Sequence, residues 1–182
     1  MSRCISFFFS DSRLSYRFVP RQMLFLAGHS ELIPGVVDVV RAFRVRGLKI
    51  GSTTGYTRSM LDLLVEKAAA RGYLPDCSLT PEDAGGGRPH PYMIYEAAKR
   101  LQAYPLWTFV KVGDTAVDME EGRNAGCWSI GITSTGNLKD LPEDKARAEL
   151  LANGAHYTAR NLEETLPLLD DIGRRLEAGE RP

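Results

Sequence analysis

Apolar residues recur along the chain at helical spacing in some stretches and in short unbroken runs in others. Residues 34–47 carry three valines and a phenylalanine on one face, between a proline that suits a helix start and a glycine that suits a helix end, which predicts a helix. The stretch 48–53, which follows the glycine directly, then predicts a buried strand. The alternation continues: helices are predicted at about 57–71, 91–101, 118–125, 142–153 and 161–176, and strands at 77–80, 107–112, 128–133 and 155–158.

Short strands that alternate with helices indicate a parallel sheet with helices on both faces. The predicted fold class is therefore α/β, with a Rossmann-like parallel sheet. In such sheets ligands bind beyond the carboxyl ends of the strands. Candidate functional residues are accordingly sought among the polar residues that follow each predicted strand.

Composition and charge exclude several classes of protein. With 43% apolar, 25% charged and 9% aromatic residues, the chain has a globular composition, and its 182 residues are enough for one hydrophobic core. The 23 basic and 23 acidic residues balance, which argues against a nucleic-acid-binding or membrane-surface protein. The apolar runs are too short to cross a bilayer. Three widely spaced cysteines and no signal-peptide core suggest a cytoplasmic protein with reduced thiols.

The predicted strand 48–53 runs into a turn rich in hydroxyl groups and glycine. Thr54 and Gly55 follow it directly, and a hydroxyl beside a glycine N–H suits a phosphoryl oxygen. An ordinary turn rich in serine and threonine, with Thr57 capping the next helix, would explain the same residues.

Two further strand ends carry charged residues. Arg88 follows three glycines, and its guanidinium offers paired donors to a phosphate, although a solvated loop arginine is the alternative. Asp114 and Asp118 follow the apolar strand 107–112. Two carboxylates there repel each other unless a cation lies nearby, and Mg²⁺ prefers such oxygen ligands. Alternatively, Asp114 forms a turn, which fits poorly, and Asp118 caps a helix.

Together these residues resemble the motifs of a known superfamily. Thr54, Arg88 and the pair Asp114 and Asp118 resemble motifs two, three and four of the haloacid dehalogenase-like Mg²⁺-dependent phosphotransferases. An arginine at motif three, where most of the superfamily has lysine, favours the phosphonoacetaldehyde hydrolase family. The stretches that resemble that family are 32–35, 49–58, 87–89, 111–115, 118–126 and 153–156. The resemblance covers roughly residues 18–170, the C-terminal core portion of that family.

The resemblance implies hydrolysis of phosphonoacetaldehyde to acetaldehyde and orthophosphate. Cleavage of a C–P bond expels a carbanion, so the reaction needs an electron sink, which a lysine Schiff base on the aldehyde provides. An aspartate takes the phosphoryl group, and Mg²⁺ with neighbouring cations neutralises the charge on the transferring oxygens. The implied ligands are therefore Mg²⁺ and a small phosphonate or phosphate substrate.

The same resemblance implies a role for six residues. Asp114 would be a Mg²⁺ ligand, and Asp118 would support the metal shell. The phosphoryl group would be bound by Thr54, the Gly55 N–H and Arg88, with Tyr56 lining the pocket. Of these, Thr54, Arg88 and Asp118 would take part in catalysis.

Two parts of the family pattern are not recognisable in this sequence. One is an N-terminal strand ending in Asp-x-Ala-Gly-Thr, whose aspartate is the nucleophile, and the other is a helical cap that carries the Schiff-base lysine. The first lysine in the chain is Lys49, inside the strand before Thr54. We therefore expect a divergent N-terminal segment at 1–17, a remnant of the last cap helix and its return at 18–33, and the haloacid dehalogenase-like core at 34–182.

One segment could replace the missing strand, which in the superfamily is the centre of the sheet. Residues 5–10 have the pattern of a strand, and Asp11 follows them. Three functions stay open: a phosphonoacetaldehyde hydrolase family member that is truncated or inactive as this chain, a capless Mg²⁺ phosphatase that uses Asp11, and a non-catalytic phosphate-binding module. The family resemblance also suggests a homodimer through cap-side helices.

Overall fold

The chain folds around a six-stranded parallel sheet, seen in a computed structural model that describes residues 4–7 and 31–182. The strands are β1 (Cys4–Phe7), β2 (Lys49–Thr53), β3 (Cys77–Leu79), β4 (Phe109–Gly113), β5 (Trp128–Ile132) and β6 (Tyr157–Ala159). The helices are α1 (Val36–Val45), α2 (Arg58–Ala70), α3 (Pro81–Ala84), α4 (Tyr92–Leu101), α5 (Ala116–Ala125), α6 (Glu143–Ala152) and α7 (Thr165–Glu177). Two short 3-10 turns, Leu106–Thr108 and Gly136–Leu138, lie before β4 and after β5.

The strand order in the sheet is β3-β2-β1-β4-β5-β6, and every pairing is parallel. From β1 the chain builds outward to β3 on one side, then crosses over to β4 and builds outward to β6 on the other. The predicted α/β class with a parallel sheet is confirmed. The order reverses between β1 and β4, and in doubly wound sheets the ligand crevice lies at such a reversal.

The centre of the sheet is formed by β1. Ile5 pairs with Ile50 of β2 on one side and with Val110 of β4 on the other. The sequence left open whether residues 5–10 replace the central strand, and residues 5–7 do occupy that position. Residues 8–30, which include Asp11 and most of the expected N-terminal and cap segments, lie outside the described residues.

Helices pack on both faces of the sheet because alternate side chains of each strand point to opposite sides. On one face, α1 and α7 pack on β2, β4 and β5; the buried residues there include Val39, Phe43, Ile50, Ile130 and Ile172. On the other face, α4 and α5 pack on β4; the buried residues there include Ile94, Leu101, Phe109, Ala125 and Cys127. Each large apolar side chain buried in this way contributes about 1.5–3 kcal/mol, so both layers hold the strand ends in fixed positions.

The observed elements differ from the predicted ones at two places. The predicted strand that begins at Trp107 instead begins after a 3-10 turn, which forms because the Thr108 N–H and hydroxyl both donate to the Pro105 carbonyl. The last helix begins at Thr165, and Asn161 accepts from the Glu164 N–H at 3.1 Å in a turn that precedes it. No helix within residues 31–182 combines the length and hydropathy that a bilayer crossing needs.

Candidate active site

The first part of the candidate site is the turn that follows β2. The Thr54 N–H donates to the Leu79 carbonyl of β3 at 3.0 Å, which ties the turn to the neighbouring strand. The buried Thr54 hydroxyl accepts from the Tyr56 N–H at 3.2 Å, so the turn curls back and leaves Gly55 exposed. Thr57 is the cap residue of α2, but its side chain makes no cap hydrogen bond. The turn therefore presents Gly55 at the surface, and its binding of a phosphoryl oxygen stays a prediction.

The second part is Arg88, on the loop that follows α3. The start of that loop is held by Asp83, which accepts from the Thr80 N–H and hydroxyl, both at 2.8 Å, and from Arg58 at 3.2 Å. The Arg88 side chain is only 16% exposed, so the alternative of a solvated loop arginine is wrong. A Cβ added to Gly55 would lie 3.4 Å from Arg88 Nη2. The guanidinium thus lies against the exposed backbone of the turn after β2.

The third part is Asp118, which is fully buried in the first turn of α5. Arg88 Nη1 donates to Asp118 Oδ1, the Thr115 hydroxyl donates to Oδ2 at 2.6 Å, and Lys111 Nζ lies 3.4 Å from Oδ1. Burial by itself would raise the pKa of Asp118, but the charges of Lys111 and Arg88 outweigh it and hold the pKa below its ordinary value. The cap residue of α5 is Thr115, so the alternative that Asp118 caps the helix is wrong.

The fourth part is Asp114, the residue directly after β4. Asp114 is only 5% exposed, and its Oδ1 atom has no hydrogen-bond partner among the described residues. Burial raises its pKa to about 6. Gly136 closes the carboxylate in, because a Cβ there would lie 2.6 Å from Asp114 Cγ. An enclosed carboxylate with one unused oxygen is an arrangement that a cation stabilises.

The donor set at Asp114 fits Mg²⁺ better than a metal that needs several protein ligands. Within residues 31–182, no three His, Cys, Asp or Glu side chains are grouped closely enough to hold a metal ion. Mg²⁺ is commonly bound through one or two carboxylates, with water and substrate oxygens completing its shell. Asp114 offers one such carboxylate oxygen.

Sequence reasoning did not assign a role to two charged residues that lie beneath the site. Lys111 of β4 and Glu121 of α5 are both fully buried and form an ion pair. The Lys111 ammonium also lies 3.4 Å from the Thr53 hydroxyl. Burial lowers the pKa of Lys111, and the attraction of Glu121 and Asp118 opposes that shift. The signal in the sequence is a lysine between two valines in an otherwise apolar strand.

A cavity of about 450 Å³ adjoins Asp114 on the side of α1 and α7. Its walls combine apolar side chains with polar ones and include Ile33, Val112, Ile132, Thr135, Asn161 and Glu163. A cavity of this size and mixed character suits a small organic ligand.

The structure thus gathers most of the predicted residues at one edge of the sheet. Arg88 connects the turn at Gly55 to Asp118, and Asp118 is close enough to Asp114 for the two charges to interact. Tyr56 is half-buried beside them, and its place in a substrate pocket stays a prediction.

Comparison with known proteins agrees with this geometry. Residues 9–126 match the haloacid dehalogenase-like hydrolase family. A phosphonoacetaldehyde hydrolase-like protein of Syntrophobacter fumaroxidans is 42% identical, in a match that covers 86% of this chain and 62% of that protein. A phosphonoacetaldehyde hydrolase of the same organism is 39% identical, in a match that covers 94% of this chain and 68% of that protein.

A solved structure gives the same result. The crystal structure of a phosphonoacetaldehyde hydrolase-like protein from Oleispira antarctica superposes with a TM-score of 0.83 at 32% identity, covering 91% of this chain and 65% of that one. The chain therefore spans about two thirds of the length of these relatives. On the motifs, the fold and these matches, the chain belongs to the haloacid dehalogenase-like hydrolases and, within them, to the phosphonoacetaldehyde hydrolase family.

Proposed function

We propose that this chain binds the phosphonate group of phosphonoacetaldehyde, together with Mg²⁺, at the carboxyl edge of its sheet. The observation that carries the proposal is the position of Arg88, which is anchored by Asp118 and lies against Gly55 at the end of β2. A half-buried, preorganised guanidinium next to an exposed glycine is an arrangement that suits an anionic oxygen.

In this proposal the chain's own groups bind and orient the phosphoryl oxygens. Arg88 supplies a permanent positive charge, and its anchoring by Asp118 means that little reorganisation is needed when the anion binds. Gly55 lacks a side chain that would block the approach of an oxygen to its N–H. The Thr54 hydroxyl, which accepts from the Tyr56 N–H, can donate its own proton to the same anion.

The metal would be held by Asp114. When bound, Mg²⁺ would neutralise charge on the transferring oxygens. Asp114 contributes the buried oxygen that lacks a protein partner among the described residues, and Gly136 fixes the orientation of the carboxylate by close packing.

Cleavage of the C–P bond needs two further groups, an acceptor for the phosphoryl group and an amine for the Schiff base. The helical cap that carries the Schiff-base lysine in the family is not recognisable in this sequence, and neither strand lysine suits the second task. The Lys49 ammonium donates to the Leu101 carbonyl at 2.5 Å, at the opposite end of β2, and Lys111 is buried against Glu121. We therefore infer that this chain by itself binds the substrate without cleaving its C–P bond.

The binding proposal is tested by calorimetric titration with inorganic phosphate in the presence of Mg²⁺. We expect Arg88→Ala to weaken phosphate binding by about tenfold or more, because a hydrogen bond to a charged group contributes roughly 1.5–3 kcal/mol. Arg46→Ala is the matched control, since Arg46 pairs with Asp170 on the surface and should leave the affinity unchanged. Absence of binding to the unaltered chain would contradict the proposal.

Turnover assays on the same preparation separate the remaining candidates. Release of acetaldehyde from phosphonoacetaldehyde, or a borohydride-trapped adduct, would contradict the inference that this chain does not cleave the C–P bond. Mg²⁺-dependent hydrolysis of a simple phosphate ester that is lost in Asp11→Asn would support a capless phosphatase. Asp11 follows β1 by four residues and lies outside the described part of the chain.

Two further expectations go with this proposal. Cys77 and Cys127 are both free thiols, which supports a cytoplasmic location. A homodimer through cap-side helices concerns residues outside the described part of the chain and stays a prediction.

A further inference from the structure

The buried lysine beneath the site is the feature that the proposed function leaves unexplained. Lys111 is 1% exposed, and Glu121 and Asp118 beside it are fully buried. Burying charges is costly, and apolar residues of similar size in place of a buried ion pair commonly leave stability unchanged or raise it. Stability alone therefore does not account for a lysine at this position in β4.

The contacts of the lysine connect it to the site. Its ammonium group forms an ion pair with Glu121 from below and lies 3.4 Å from Asp118 Oδ1. Arg88 Nη1 donates to the same Oδ1 atom. One carboxylate oxygen of Asp118 is thus shared by two cations, one buried in the sheet and one facing the turn at Gly55.

We propose that Lys111, held by Glu121, is a positioning residue that shares the Asp118 carboxylate with Arg88 and so keeps the Arg88 guanidinium available to a phosphoryl oxygen. The inference rests on the proposed phosphate-binding function, and it gives Lys111 a role that involves no covalent bond to substrate. Asp118 attracts Arg88 less strongly when a second cation already offsets its charge. Arg88 Nη2 can then stay against Gly55 while Nη1 keeps its anchor.

The charge balance supports this role. Lys111 and Arg88 are two cations, and Asp118 and Glu121 are two anions, so the group is neutral as a whole. Without the Lys111 ammonium, a negative charge would remain uncompensated in a buried region behind the anion site. Such a charge would draw Arg88 inward and would repel phosphate.

The test measures phosphate affinity in Lys111→Met, with Lys49→Met as the matched control. Both lysines lie on strands of the same sheet, but Lys49 donates to a carbonyl at the opposite end. We expect about a fivefold or greater loss of affinity in Lys111→Met and no change in Lys49→Met. The double variant Lys111→Met/Glu121→Met removes both charges, so it should fold even if the single variant does not. It should still bind phosphate less tightly, because Asp118 is left with Arg88 alone.

Two measurements distinguish positioning from a purely structural role. In an Asp118→Asn background, Lys111→Met should have no further effect on affinity, because the lysine acts through that carboxylate. Side-chain NMR of Arg88 should show slower exchange of its guanidinium protons in the double variant than in the unaltered chain, whether or not phosphate binds. Unchanged exchange, affinity within twofold of the unaltered chain, or an undiminished effect in the Asp118→Asn background would overturn the inference. Failure of the unaltered chain to bind phosphate would instead overturn the proposed function, and the exchange measurement would still decide the role of Lys111.

Discussion

At the scale of single residues, close packing against glycine holds the two site carboxylates in place. A Cβ at Gly113 would lie 2.4 Å from Asp118 Cβ, and one at Gly136 would lie 2.6 Å from Asp114 Cγ. Neither distance is compatible with a side chain, so each carboxylate occupies space that only a glycine leaves open. Steric contact therefore orients Asp114, one oxygen of which has no hydrogen-bond partner among the described residues.

The packing at Gly136 gives a testable difference between two glycines of similar backbone conformation. Gly136 and Gly126 have φ angles of 64° and 71°, but a Cβ at Gly126 meets nothing within 4 Å. We expect Gly126→Ala to cost about 1–2 kcal/mol in unfolding free energy from its backbone conformation alone. Gly136→Ala should cost about 1–3 kcal/mol more and should weaken Mg²⁺ binding, because Asp114 must move. Urea unfolding and Mg²⁺ titration measure both effects, and equal losses in the two variants would contradict the packing argument.

The sequence predicts the individual site residues but not how they pair. Asp114 stands out because it follows a strand directly, at the edge of a parallel sheet where ligands bind, and Arg88 stands out because it follows a glycine-rich turn. The bond between Arg88 and Asp118 joins a loop to a helix 30 residues later in the chain, and no local pattern encodes such a contact. The pair Lys111 and Glu121 joins a strand to the following helix, and side-chain spacing rules apply within a helix or between paired strands, not between a strand and a helix.

At the scale of elements, a cluster of aromatic and charged side chains attaches α7 to β5 and β6, at one edge of the sheet. The Arg175 guanidinium lies 4.4 Å from the centre of the Trp128 ring, and its Nη1 donates to the Tyr157 hydroxyl. The His156 ring also packs against Trp128, and the two ring centres are 4.9 Å apart. The His156 Nδ1 atom accepts from the Ser129 N–H at 3.0 Å, and the His156 backbone N–H donates to the Ser129 carbonyl. This reciprocal pair begins the contact between β5 and β6.

The hydrogen bond that His156 accepts predicts that acid weakens the contact between β5 and β6. Burial, and next the charge of Arg175, lower the pKa of His156 below its ordinary value of 6.5, so the folded state favours the neutral ring. The contribution to stability is therefore present above about pH 6.5 and is lost as the pH falls below it. Asp114, whose pKa is raised to about 6, contributes in the opposite direction, so the test is the difference between two variants. Between pH 7.5 and pH 5.5 we expect the unaltered chain to lose more unfolding free energy, or to gain less, than His156→Gln, by a modest amount because His156 is exposed. His90→Gln, also at an exposed position, is the control and should keep the pH dependence of the unaltered chain.

Element boundaries were predictable where apolar spacing and a stop signal coincide. The helix predicted at 34–47 is observed at Val36–Val45, and the strand predicted at 48–53 is observed at Lys49–Thr53. The start of β4 was not predictable in this way. A tryptophan before a valine-rich run is typical of a strand, but Pro105 directs the backbone into a turn. At that position the turn geometry outweighs the local propensity for a strand.

At the scale of the whole molecule, the sheet depends on a four-residue strand at its centre. β1 is hydrogen-bonded on both sides, so it joins the half that contains β2 and β3 to the half that contains β4, β5 and β6. The family resemblance alone left this position unfilled, since the residues after β1 do not have the family's Asp-x-Ala-Gly-Thr pattern.

The central position predicts a large response to proline in β1. We expect Ile5→Pro to abolish cooperative unfolding, because proline cannot donate to the ladder and is excluded from central strands. Ile5→Val is the control, since it keeps the N–H and a β-branched side chain. Circular dichroism during urea unfolding measures the difference. A cooperative transition in Ile5→Pro close to that of the control would contradict the central role of β1.

The central position of β1 also has a consequence for synthesis on the ribosome. β1 is translated before both of its partner strands, and one of them, β4, is translated only after β2 and β3. A nascent chain therefore carries one unsatisfied edge of β1 until residues 109–113 have left the exit tunnel. Non-local pairing of this kind is slow and leaves strand edges exposed to other chains. We expect slower translation between β1 and β4 to increase the demand of this protein for chaperones.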